Sequence, residues 1–198
     1  MDWCSTILGA IIGFIASIGT MVVQQWMDRA GKLKLYCVTV RGDHPWDSIG
    51  FSTTDSGELA FVLPIRLEIL NTSNITRVIR DVSVWTYSCG KPIQEMIQIE
   101  NTVQRQKTKT GLSEESNGYG GDKNMYSFVI PPRSIQREHC SYMLTISDSD
   151  KSQRCFDEVR LSYFDEHDKK HVFHLRDIEN AWTLGRLNGD DNWVLLKE

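Results

Sequence analysis

The chain has 198 residues, 40% of them hydrophobic, and a formal net charge of -4 at pH 7. All 22 basic side chains, and all but Asp2 of the 26 acidic ones, lie beyond residue 27. That balance excludes a general nucleic-acid binder, which needs a concentrated basic face to release counterions, and the remaining length suits one domain.

The chain opens on WCSTILGAIIGFIASIGTMVVQQW, Trp3 to Trp26, which contains no charged residue. As a helix at about 1.5 Å per residue it spans roughly 36 Å, enough to cross a hydrocarbon core of about 30 Å. Trp3 and Trp26 stand at its ends, where amphipathic rings favour the boundary between lipid and water. A buried core helix would carry a polar stripe, and none appears before Gln24 and Gln25. A signal peptide needs a basic leader; Met1 and Asp2 supply no basic side chain, and Ser17 and Gly19 make only a weak cleavage pair. The sequence therefore predicts a transmembrane anchor over 1–27, a juxtamembrane linker over 28–34 and a β-sandwich domain over 35–198.

Arg29, Lys32 and Lys34 follow the span and no basic side chain precedes it. This asymmetry predicts a single-pass topology with the N-terminus outside and the domain cytoplasmic. The three charges fall short of the cluster of about four to eight that marks a polybasic lipid reader. Within the span, Gly9, Gly13 and Ser17 recur at every fourth position, with Ala16 and Thr20 widening the strip. Small residues at that spacing let two helices approach closely, so self-association through the anchor is expected.

Beyond the anchor the patterning is that of strands. LPIRLEIL puts Leu63, Ile65, Leu67 and Ile69 on one face and Pro64, Arg66 and Glu68 on the other. This period of two predicts a half-buried antiparallel strand. VRLSYF repeats it with Val159, Leu161 and Tyr163 inward, and YSFVI with Tyr126, Phe128 and Ile130. LKLYCVTV, DVSVWTY, EMIQIE, CSYMLTI and HVFHL are further candidates, separated by the turn sequences NTSN, SCGKP, PPRS and DEHDKK. Many short strands with regular turns predict an antiparallel β-sandwich. The run RLEILNTSNITRVIRDVSVW, Arg66 to Trp85, is similar to what many immunoglobulin-like accessory domains show. That resemblance implies an immunoglobulin-like build and no particular chemistry.

Gln104 to Asn124 has almost no apolar content and predicts a long loop, either solvated or contacting a ligand or partner. Arg105, Lys107 and Lys109 alternate within it, so an extended backbone would set them on one side. At the C-terminus, segments around Trp182–Leu187 and Trp193–Leu196 flank NGDD, which predicts a hairpin. Trp182 and Trp193 then either pack on the sandwich or form an exposed apolar patch for a partner or for the nearby bilayer surface.

No sequence motif for catalysis stands out: GxSxG, a P-loop, GxGxxG after a strand and HExxH are all missing. On a strand, His171 shares the parity of Phe173 while His174 faces the other way, and His167 falls in the preceding turn. Three such histidines do not converge on a metal, so no metal or cofactor is expected. The five cysteines are odd in number and show no CxxC spacing, which favours buried thiols in a reducing compartment. The reading is a non-catalytic, membrane-anchored binding or sensing module for a protein or small ligand. The other reading makes the anchor the effector, its helices assembling to perturb the bilayer, as in a bacterial stress or defence protein.

Overall fold

The structure is a computed structural model and describes residues 3–43, 47–106, 113–118, 127–147 and 154–197. Helix α1 (Trp3–Arg29) comes first. Strands follow as β1 (Leu33–Thr39), β2 (Gly50–Thr53), β3 (Leu59–Asn71), β4 (Arg77–Ser88), β5 (Lys91–Glu95), β6 (Ile97–Gln106) and β7 (Ser113–Gly118). The remainder are β8 (Phe128–Ile130), β9 (Ser134–Ile146), β10 (Glu158–Phe164), β11 (Lys170–Asp177), β12 (Gly185–Arg186) and β13 (Val194–Leu195). The protein is mainly β, with antiparallel sheets and one N-terminal apolar helix.

In the first sheet β3 is central. It pairs with β9 from Leu59↔Ile146 to Asn71↔Ser134. Its other edge is divided: β2 covers Leu59 to Val62, and β1 covers Ile65 to Asn71. Pro64 sits at the change-over, where its carbonyl accepts from Val40 N at 2.9 Å. A residue's N–H and C=O point to the same edge of a strand, so the donor that proline lacks falls where the two partner strands meet. Leu63, Ile65, Leu67 and Ile69 are at most 1% exposed, and the expected alternation holds from Ile65 onward, while Pro64, expected on the outer face, is buried as well. The path continues from β9 to β6 and β7, while β12 extends β2 and β13 extends β1.

The second sheet runs β11-β10-β4-β5, with β8 also on β4. Val159, Leu161 and Tyr163 of β10 are buried as the alternation predicts. In β4 the alternation breaks at Asp81, whose φ is 52°. Ser162 pairs with Ser83 but Phe164 with Arg80, so β4 carries an extra residue there. The bulge lets Ile79, Val82 and Val84 all enter the core despite their unequal spacing. Residues of both sheets form one apolar cluster, including the ring group Phe51, Phe61, Phe156 and Trp182.

Two sequence expectations are corrected. Gln104 to Gln106 and Ser113 to Gly118 are strand rather than loop: β6 and β7 form a hairpin with Gln104 opposite Glu115. Backbone pairing sustains it without the apolar alternation by which strands are recognised in sequence. The C-terminal segments do not pair with each other. Gly185–Arg186 joins β2, and Val194–Leu195 joins β1. Asp190 explains the divergence: Oδ2 accepts from Thr39 N (2.8 Å) and Thr39 Oγ1 (2.7 Å), fastening the NGDD segment to the end of β1.

Candidate functional site

The β domain is tied together at the corner where the linker from the helix joins it. Asn71, fully buried, donates from Nδ2 to the carbonyls of Ile75, Ile130 and Pro131, and its Oδ1 accepts from Ser73 N and Oγ. One side chain thus joins the β3–β4 and β8–β9 crossovers and leaves little polar capacity unsatisfied, as burial demands. The linker after α1 is tied to the same corner, with Lys32 N donating to Thr72 Oγ1 at 2.8 Å and Thr72 Oγ1 donating to Lys32 O at 2.8 Å.

Beside this corner lies a cavity of about 670 Å³, bordered by Gly31–Leu33, Arg77, the β10–β11 turn, β11 and Leu196–Lys197. Its size lies within the range of small-ligand sites. Tyr163, His171 and Phe173 form a shelf of nearly parallel rings, with centroids 4.9 Å apart for Tyr163–His171 and 5.7 Å for Tyr163–Phe173. Facing positions on β10 and β11 create it, because Tyr163 pairs with His171 and Leu161 with Phe173.

Asp165 organises the turn beneath. It accepts from His167 N (2.8 Å), Lys169 N (3.0 Å) and pairs with His171 Nε2 (2.9 Å). Burial acts to raise its carboxyl, but the bonds from His171 and the two backbone amides, with the histidine's charge, prevail and hold it at about 2. Glu166 is likewise lowered: burial opposes the charged form, and the Arg77 guanidinium, in contact with the carboxylate, overrides it. Arg77 Nε is buried without a hydrogen-bond partner among the described residues. Both carboxylates are therefore engaged within the chain, and Lys32, Lys169 and Lys197 add positive charge around the opening.

The residues singled out in sequence fall elsewhere. Trp3 and Trp26 are 82% and 73% exposed at the two ends of α1. An added Cβ at Gly9 or Gly13 meets nothing within 4 Å, and Ser17 Oγ donates to Gly13 O at 2.8 Å. Arg105 lies in β6 opposite Glu114 and Gln136, while Lys107 and Lys109 lie outside the described residues. Trp182 is core: it packs edge-on to Phe51 and Phe156, and its Nε1 donates to Arg154 O. It is thus removed from any surface contact, whereas Trp193 stays 43% exposed. Cys37 and Cys140 are buried and Cys89 and Cys155 exposed. Burial raises the Cys37 and Cys140 thiols far above their usual range, with Asp190 and Glu138 adding to it respectively, so both are poor nucleophiles. His167 and His171 border the same cavity, while His174 faces away, 2.9 Å from Asp177. Arg77, Tyr163, Asp165 and Lys197 went unmarked in sequence as site residues; the one signal was the acid and histidine content of DEHDKK.

No protein-family model matches the chain, and no curated protein matches it in sequence. A solved structure described as the X-ray structure of Northeast Structural Genomics Consortium target SoR45 aligns over 84% of this chain and 99% of its own. Identity is 9% and the TM-score 0.28, too slight a likeness to bear on fold or function.

Proposed function

We propose that the chain is a single-pass, membrane-anchored binding module, non-catalytic, carrying a ligand cavity on an immunoglobulin-like β-sandwich in the cytoplasm. The observation that carries this reading is the cavity itself, because the linker leaving the helix forms part of its wall. A ligand held there touches the anchor's exit and the sandwich together. The helix is long and apolar enough to cross a membrane, and its large side chains, Phe14 and Ile15 among them, pack against nothing in the chain. A core helix would bury them. The immunoglobulin-like build draws support from two antiparallel sheets joined through the Asn71 corner.

The native cysteines supply the test. Cys89 and Cys155 are exposed on the domain. A membrane-impermeant thiol reagent is expected to leave both unmodified in intact cells and to label them after lysis, with the chain floating with membranes after an alkaline wash. Labelling of Cys89 or Cys155 in intact cells, in a chain with Cys4 replaced by Ser, would reverse the orientation, and release by the wash would remove the anchor. A second reading, in which assembled helices act on the bilayer, is favoured by the open strip at Gly9 and Gly13, whose missing side chains no packing within the chain requires.

A further inference from the structure

The wall of the juxtamembrane cavity reverses the sign of the protein as a whole. The chain is net acidic, yet four cationic side chains, Lys32, Arg77, Lys169 and Lys197, border this space against two carboxylates. Those carboxylates are committed elsewhere, Asp165 to His171 and the turn amides, Glu166 to Arg77. Among the described residues no carboxylate pairs with Lys32 or Lys197. A cationic guest would be repelled, and a metal ion would find no uncommitted oxygen pair. A neutral guest would make no use of the exposed Lys32 and Lys197 ammonium groups. The apolar part of the lining comes from Leu33 and from the largely buried Tyr163 and Phe173 rings beside His171.

We propose that this cavity binds a phosphate group with no charge-compensating amine, carried on an apolar or aromatic body. Lys32, Lys197 and Arg77 face the phosphate, and the ring shelf takes the body. Arg77 suits the role because Glu166 engages Nη1 while fixing the guanidinium in place. The inference rests on the membrane-anchored reading for the source of its ligand. Gly31 and Lys32 lie immediately beyond α1, so the cavity opens at headgroup level, where an acidic phospholipid presents this chemistry at high local concentration. A soluble nucleoside monophosphate offers the same phosphate and a flat ring. The linker charges alone were too few for a lipid reader; folding brings Arg77 and Lys197 to Lys32 from distant parts of the chain.

The test uses the full chain in nanodiscs of phosphatidylcholine, with or without phosphatidylglycerol, and reads amide hydrogen exchange across Glu166–His171. Phosphatidylglycerol is expected to slow exchange there. Lys32→Glu and Lys197→Glu should each weaken the effect roughly tenfold or more, and Lys91→Glu, at the exposed start of β5, should leave it unchanged. In a second arm AMP is titrated into phosphatidylcholine nanodiscs. Protection by AMP alone assigns the phosphate to a soluble ligand; protection by phosphatidylglycerol alone assigns it to the bilayer. Protection by neither, or protection indifferent to both charge reversals, overturns the site. A chain that enters no nanodisc of either composition defeats the anchored reading instead, and AMP titrated into the micellar chain still decides the phosphate chemistry.

Discussion

Asp165 holds the β10–β11 turn and His171 with a single carboxylate, so its charge is a folding term. Its pKa falls from the ordinary 3.8 to about 2. Between those values the unfolded state binds more protons than the folded one, so stability rises with pH. The contribution is complete above about pH 4 to 5 and is lost as pH falls through about 2. The shift corresponds to about 2 kcal/mol at most, less where solvent screens the partly exposed pair. Thermal unfolding of Asp165→Asn across a pH series should show a lower midpoint at pH 7 and a flatter acid limb than the wild type. Equal slopes below pH 4 would mean that other carboxylates govern acid unfolding. Gly31 is a second residue with a defined duty. Its φ is 133°, and a Cβ there would come within 2.6 Å of Ser73 Cα. Gly31→Ala should cost about 2 to 3 kcal/mol through strain and displacement of the linker. Gly57→Ala, at φ 84° but with open space around it, should cost only about 1 kcal/mol. Unfolding midpoints of the two variants give the comparison, and equal losses would place the Gly31 effect in backbone conformation alone.

At the scale of elements, strands with one apolar face were legible and strands without one were not. The alternation in β3 and β10 marks inner faces that the structure buries, because burial on one side writes a period of two into the chain. The β6–β7 hairpin escaped because backbone hydrogen bonds leave no residue pattern, and its Gly, Ser and Lys content resembles a loop. The tail escaped for another reason: Asn-Gly favours a hairpin locally, but Asp190 finds stronger partners on β1. The cavity was illegible because its wall is assembled from separated segments, around residues 31, 77, 165 and 197, that no spacing rule connects. Proline at Gln104 tests the hairpin directly. Gln104 pairs with Glu115 on one side and Arg137 on the other. Its amide therefore belongs to a ladder, and Gln104→Pro should destabilise by about 3 kcal/mol. A loop would accept the same proline with little change in the unfolding midpoint.

For the molecule as a whole, two hydrogen bonds at Thr72 tie the linker after α1 to the β domain, so, with the helix as the proposed anchor, its assembly state would bear on where the cavities sit relative to each other. Gly9, Gly13 and Ser17 fall near one face of α1, and Ser17 turns its hydroxyl back to Gly13 O, so in the proposed bilayer setting that donor would not face acyl chains unsatisfied. In lipid no hydrophobic drive pulls helices together, and close backbone contact at small residues takes its place. Ile12 lies beside this strip, 59% exposed, and is suited to lipid contact. Gly13→Ile should therefore weaken association of the full chain in membranes, measured by energy transfer between labelled copies, while Ile12→Leu leaves it intact. Because a Cβ at Gly13 meets nothing within 4 Å beyond its own turn of helix, a loss points to a contact between copies rather than to folding. Equal signals from both variants would remove the strip as an interface, and equal losses would move the interface to another face of the helix.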